Sequence, residues 1–156
     1  MRVHICAVGR TRSGPEHDLT ADYLTRFDRT GRPLGLGPAA LSEVENRKGG
    51  GRDGEAVLLE RALPGGALRV MLDERGQVLS SPQFAQHLAD WRDQGRGEVA
   101  FVIGGADGIA PGLRDTADFR LSFGAMVWPH LLARVMLAEQ LYRAGTILAG
   151  GPYHRA

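Results

Sequence analysis

Val99-Ala100-Phe101-Val102-Ile103-Gly104-Gly105-Ala106-Asp107-Gly108 is the stretch on which the fold turns. Val99 to Ile103 is short and fully apolar, and reads as a strand. Three glycines follow it directly. Such a turn lets the backbone fold tightly and approach a ligand, or it simply reverses the chain. Taken alone, the segment leaves both readings open.

Outward from this strand, the pattern repeats. Arg2 to Val8 alternates and is β-rich, with Val3, Ile5 and Ala7 pointing one way. Glu16 to Phe27 reads as a helix whose buried face carries Leu19, Tyr23 and Phe27. Gly31 to Pro38 is turn-rich, and Ala39 to Glu45 reads as a second strand. Glu55 to Ala62 reads as a helix ended by Pro64-Gly65-Gly66. Leu68 to Asp73 is an apolar strand. Ser81 as N-cap and Pro82 at the first helical position open a further helix, with Phe84, Leu88 and Trp91 on one face and Gly95 as its stop. Phe119 to Phe123 is another strand. His130 to Ala144 is the strongest helix: Leu131, Val135, Ala138 and Tyr142 line one side, and Leu132, Met136 and Leu141 widen it. Strands alternate with helices throughout, which predicts one α/β domain over residues 1–156 with a mainly parallel sheet.

The totals bound the function. A chain of 156 residues with 43% hydrophobic content suits a globular domain. No apolar run approaches a membrane span, and Met1 to Gly9 reads as a strand rather than a signal peptide. The one cysteine, Cys6, forbids an internal disulfide and fits a cytoplasmic protein, where it reads as a small core residue. A net charge of +1 gives no support to free, non-specific RNA binding.

Ligands of open α/β sheets bind beyond the carboxyl ends of the strands. Three such ends carry chemistry here: Leu72-Asp73 with the turn Glu74-Arg75-Gly76, the glycine turn after Ile103, and Phe123-Gly124-Ala125-Met126-Val127-Trp128-Pro129-His130. The last offers backbone polar groups beside flat apolar walls, which suits an adenine ring or a buried connection. The chain has no G-x-G-x-x-G, no G-x-x-x-x-G-K-[ST] and no G-x-S-x-G, so dinucleotide, NTPase and serine-hydrolase readings are unsupported. None of its five histidines stands at a metal-ligand spacing, so no metal is expected. Asn46 to Gly54 is a basic, glycine-rich loop with Arg47, Lys48 and Arg52: a solvated loop, or an arm that meets phosphate. The tail Gly150-Gly151-Pro152-Tyr153-His154-Arg155-Ala156 sets an aromatic, an imidazole and a guanidinium behind a proline. Those groups suit stacking on a base and gripping phosphate, although chain ends often fray.

The ordered set of motifs resembles the ribosomal RNA large subunit methyltransferase H family, a minimal branch of the knotted SPOUT methyltransferases. The resemblance runs nearly end to end. It includes Ala7-Val8-Gly9, Tyr23-Leu24, Arg26-Phe27, Leu72-Asp73, Ser81-Pro82-Gln83 and Phe101-Val102-Ile103-Gly104-Gly105 with Gly108. It closes on Pro129-His130, Arg134-Val135, Glu139-Gln140-Leu141-Tyr142-Arg143-Ala144 and Pro152-Tyr153-His154-Arg155. It implies an α/β sheet with a C-terminal trefoil knot, a homodimer, and S-adenosylmethionine held by Leu72, Gly104 and the run Phe123, Gly124, Ala125, Met126, Val127 and Trp128. The implied substrate is a pseudouridine of 23S rRNA, methylated at N3 within the assembled ribosome, which supplies the docking surface that a nearly neutral enzyme lacks. Arg47, Lys48, Arg52 and Arg143 are then expected to meet RNA. Tyr153 is expected to orient the target base, His154 to act as base or hydrogen-bond partner, and Arg155 to stabilise negative charge or bind phosphate. Two rivals remain at this stage: a knotted methyltransferase acting on tRNA, and a non-catalytic ribosome-binding factor on the same fold.

Overall fold

The computed structural model describes residues 1–156. In chain order the elements are β1 (Arg2–Val8), α1 (Pro15–Gly31), a 3-10 turn (Arg32–Leu34), β2 (Ala39–Val44), α2 (Gly51–Ala62), β3 (Leu68–Val78), α3 (Ser81–Asp93), β4 (Glu98–Ile103), α4 (Pro111–Arg114), β5 (Phe119–Ser122) and α5 (His130–Leu148). The strands form one sheet in the order β2-β1-β4-β3-β5, and every pairing is parallel.

Side chains alternate across a strand, and this period of two divides the core. Val3, Ile5 and Ala7 of β1 and Val99, Phe101 and Ile103 of β4 pack with residues of α1, α3 and α5. Cys6, Ala100 and Val102 pack the opposite way, with Leu59 of α2 and Leu113 of α4. Each fully buried side chain such as Phe101 or Leu141 contributes roughly 1.5–3 kcal/mol. Burial pushes the Cys6 thiol up to about 11, so it stays protonated. Parallel pairing runs from Arg2 opposite Glu98 to Ala7 opposite Ile103, so β1 and β4 end side by side.

Several local expectations shift. The strand expected to stop at Asp73 continues to Val78: Leu72 and Gln77 both stand opposite Leu121, and Asp73 to Gly76 bulge out between them. The loop expected over Asn46 to Gly54 is shorter, because α2 already begins at Gly51. The cap of α3 is Ser80, not Ser81; its hydroxyl accepts from the Gln83 N–H while the Gln83 side chain accepts from the Ser80 N–H, a reciprocal box that outcompetes the next serine. On α1 the buried residues are Thr20, Leu24, Phe27 and Gly31, while Leu19 is 44% exposed. The helix is rotated so that Leu19 and Tyr23 face a groove shared with Val135 and Met136 of α5 rather than the sheet. Helix α5 likewise buries Leu137, Ala138, Leu141 and Ala144, leaving Leu132 at 40% exposure.

One charged side chain lies in the interior. Arg134, 3% exposed, donates to the carbonyls of Val8 and Gly9, to the Thr11 hydroxyl and to Glu43 at 2.7 Å. It thus ties α5 to the end of β1 and to β2. Burial pushes the Glu43 carboxyl up, but the Thr11 N–H and Arg134 outweigh it and leave the group below its ordinary value. The stability this lends is present above the unfolded carboxylate range and is lost as pH falls through the lowered folded value. Arg134→Met is expected to cost roughly 3 kcal/mol in urea denaturation at neutral pH, since Glu43 is left without its buried partner. Glu43→Gln is expected to flatten the acid limb of the stability curve relative to the parent chain.

Candidate active site

The carboxyl ends of β4 and β5 and the bulge within β3 open on a cleft of about 490 Å³, a size suited to a small-molecule ligand. Leu72, Ile103, Phe123, Met126, Val127 and Trp128 supply its apolar walls. The Trp128 indole N–H donates to the Phe123 carbonyl at 3.4 Å, folding this segment back on itself. Gly104 and Gly124 also line the cleft, whereas Ala125 is exposed and stands outside it.

Two buried polar atoms at the cleft lack partners. One is Asp73 Oδ2, brought there by the bulge in β3; the other is Arg114 Nε, at the end of α4. A buried group without a partner is costly, so such atoms point to something that completes them. A carboxylate oxygen accepts from a hydroxyl or an ammonium, and a guanidinium donates to a carboxylate. S-adenosylmethionine carries an adenine ring, ribose hydroxyls, an ammonium and a carboxylate, so walls and orphan atoms together fit it.

The glycine turn is held by close approach. A Cβ on Gly104 would stand 2.6 Å from the Gly108 carbonyl carbon, and one on Gly105 would stand 2.6 Å from Glu55 Oε2. Glu55 therefore packs from α2 onto the turn. Burial, then the nearby Asp107, hold its carboxyl above the usual range, and His130 partly offsets them. His130, read from sequence as the last residue of the third strand-end segment and the start of a helix, also lines the cleft.

The tail is docked elsewhere. The Tyr153 hydroxyl donates to Glu139 Oε1 at 2.9 Å, and Arg143 donates to the same oxygen through Nε at 3.0 Å and Nη2 at 2.6 Å. The Arg143 guanidinium lies 4.7 Å from the centre of the Tyr153 ring, and Arg143 Nη1 is 3.2 Å from His154 Nδ1. Burial and then Glu139 push the Tyr153 hydroxyl upward, so it remains a donor. This cluster sits at the far end of α5 from the cleft. From residue 130 to residue 143 the helix rises roughly 20 Å, at 1.5 Å per residue.

The residues expected to meet RNA are dispersed. Arg47 pairs with Glu45 at 3.3 Å, and Lys48 is exposed. Arg52 sits in the first turn of α2 and lines the cleft; Arg143 is engaged with the tail. Arg155 is exposed, without an ion-pair partner. Sequence reasoning placed Asp73 at a chemistry-bearing strand end without a role of its own, and gave none to Arg114 or Glu139. The bulge and the single-turn α4 that place the first two leave no periodicity. A signal for Glu139 existed in the spacing of four from Arg143, which puts the pair on one helix face.

This parallel sheet, with its ligand cleft at the strand ends and its long last helix, defines a class. The family profile described as "Predicted SPOUT methyltransferase" matches residues 1–154, and the chain belongs to that family, whose fold is the trefoil-knotted α/β sheet. The chain is 71% identical over 155 residues to the ribosomal RNA large subunit methyltransferase H of Roseobacter denitrificans, covering 99% of both chains. It is 68% identical, with the same coverage, to the protein of that name from Cereibacter sphaeroides strain ATCC 17023. A solved structure of a probable methylase family protein from Haemophilus influenzae Rd KW20 shares the fold at a TM-score of 0.55 and 13% identity, over 99% of this chain and 70% of that one.

The two glycine contacts differ in kind, which allows a test. Gly104→Ala drives a methyl into backbone and is expected to cost about 2 kcal/mol. Gly105→Ala meets the end of a flexible side chain and is expected to cost less, with Glu55→Ala relieving it. Thermal denaturation of the two single variants and the double variant reads this directly.

Proposed function

We propose that this chain transfers a methyl group from S-adenosylmethionine to N3 of a pseudouridine in 23S rRNA of the assembled ribosome. The observation that carries this is the convergence of the β3 bulge and the β4 and β5 ends on one ligand-sized cleft, in a chain 71% identical end to end to a ribosomal RNA large subunit methyltransferase H. The bound cofactor supplies a methyl group activated on a sulfonium sulfur.

The chain's own residues hold and orient. Leu72, Phe123, Met126, Val127 and Trp128 enclose the adenosine, and Gly104 and Gly124 admit it close to the backbone. Asp73 accepts from a hydroxyl or the ammonium, and Arg114 donates to the carboxylate. Tyr153 positions the target base, His154 attends its N3 edge, and Arg155 stabilises negative charge there. Aligning the two reactants removes much of the entropic barrier.

The active species is a homodimer. Leu19 and Val78, 44% and 70% exposed, border an apolar groove with Tyr23, Phe123, Val135 and Met136. Exposed apolar surface of this kind marks a docking face. With the tail roughly 20 Å along α5 from its own cleft, a second copy brings its tail to that cleft instead. No helix is long and apolar enough to cross a membrane, in keeping with action on ribosomes in the cytoplasm. The docking of RNA rests on Lys48, Arg52 and Arg155 together with surfaces of the ribosome.

Methyl incorporation into ribosomes, with mass spectrometry of the rRNA, tests the reading; incorporation into bulk tRNA instead would overturn it. His154→Ala and Arg155→Ala are each expected to lower the rate by at least about 100-fold. Mixing Gly104→Ala subunits with His154→Ala subunits is expected to restore activity, because one intact cleft then meets one intact tail. Leu19→Asp and Val78→Asp are expected to give monomers by light scattering, with loss of methylation.

A further inference from the structure

The contact between Arg143 and His154 fixes the chemistry of the imidazole. A guanidinium has five N–H donors and no acceptor. Arg143 Nη1 lies 3.2 Å from His154 Nδ1, so Nδ1 must present its lone pair. A neutral imidazole carries one proton, which is then on Nε2. An imidazolium is excluded from this contact, since both of its nitrogens donate. Arg143 cannot swing away freely. Its Nε and Nη2 are both held by Glu139 Oε1, at 3.0 and 2.6 Å, and its flat face lies on Tyr153. Glu139 is fixed in turn by the Tyr153 hydroxyl at 2.9 Å and by Gln140 Nε2, which donates to its other oxygen at 3.0 Å. His154 Nε2 has no partner in the protein and is not among the buried polar atoms. It faces outward, carrying a proton.

We propose that Glu139 and Arg143 are positioning residues that hold His154 in the Nε2–H form, so that His154 donates a hydrogen bond to a carbonyl oxygen of the target base instead of removing its N3 proton. The inference rests on the pseudouridine reading above. Two carbonyls flank N3 of that base, and the charge released when N3 loses its proton spreads onto their oxygens. A donor aimed at one of them stabilises the anion, as preorganised N–H groups do at other developing oxyanions. The N3 proton passes to solvent water, its electron pair stays on the base, and His154 keeps its own proton throughout.

Long-range proton–nitrogen correlation on the full chain labelled with nitrogen-15 histidine reads the tautomer in the wild-type protein, with the His154 signals assigned by their loss in His154→Ala. The expected result is a protonated Nε2 and an unprotonated Nδ1, shifting toward a mixture in Arg143→Met. On ribosomes, His154→Gln is expected to keep activity within about tenfold of wild type, since an amide N–H replaces the donor but cannot serve as a base. His154→Ala is expected to lose at least about 100-fold. A protonated Nδ1 in an active enzyme, or a glutamine variant as inactive as the alanine one, overturns the proposal alone. Wild-type protein that does not methylate ribosomes overturns the rRNA reading, and the proposal falls with it.

Discussion

The buried guanidinium of Arg134 is the joint at which three passages of the chain meet. A charge this deep needs its donors used: Nη1 and Nη2 make four contacts to oxygens of β1, the segment after it, and β2, and only Nε is left without a partner. The consequence reaches further than the pair with Glu43. Helix α5 starts one turn before Arg134, so the guanidinium sets where that helix begins relative to the strand ends. His130 and Ala133 are carried into the cleft by the same placement. The remainder of the helix stays packed in the core through Leu137, Leu141 and Ala144, and presents Glu139 and Arg143 to the tail. One buried ion pair therefore fixes the geometry of two separate chemical features.

Between these features the charges are used differently. At the cleft, Asp73 Oδ2 and Arg114 Nε are left without a partner inside the protein. At the tail, the carboxylate, guanidinium, phenol and imidazole complete one another, leaving a single outward imidazole edge.

The sequence made the alternation of strands and helices legible because a period of two and a period near four are both local. The parallel sheet, the cleft-lining Leu72, Gly104 and Phe123, and the long last helix followed from it. The bulge in β3 was invisible for a physical reason. Asp73 to Gly76 reads as an ordinary turn, and only the re-pairing of Gln77 with Leu121, from a distant strand, makes it a bulge. The faces of α1 and α5 were misjudged because both helices carry more apolar residues than the sheet can cover. Leu19 and Leu132 satisfy the same spacing rules as Leu24 and Leu137, and spacing cannot say which stripe meets the sheet. The tail's residues stood out by type, but its attachment to Glu139 depends on a return of the chain along α5 that no periodicity encodes.

Trp128 has an optical consequence. The chain has two tryptophans. Trp91 is buried in α3 at 8% exposure, against Phe119 and His87, while Trp128 forms part of the cleft wall at 42% exposure. The first indole contributes a nearly constant, blue-shifted emission from the apolar interior. The second faces solvent across an open cleft and is held to the backbone by one long hydrogen bond. Anything that fills the cleft changes the water around that indole and leaves the other untouched. The protein thus carries its own fluorophore for occupancy, with an internal reference built into the opposite end of the sheet.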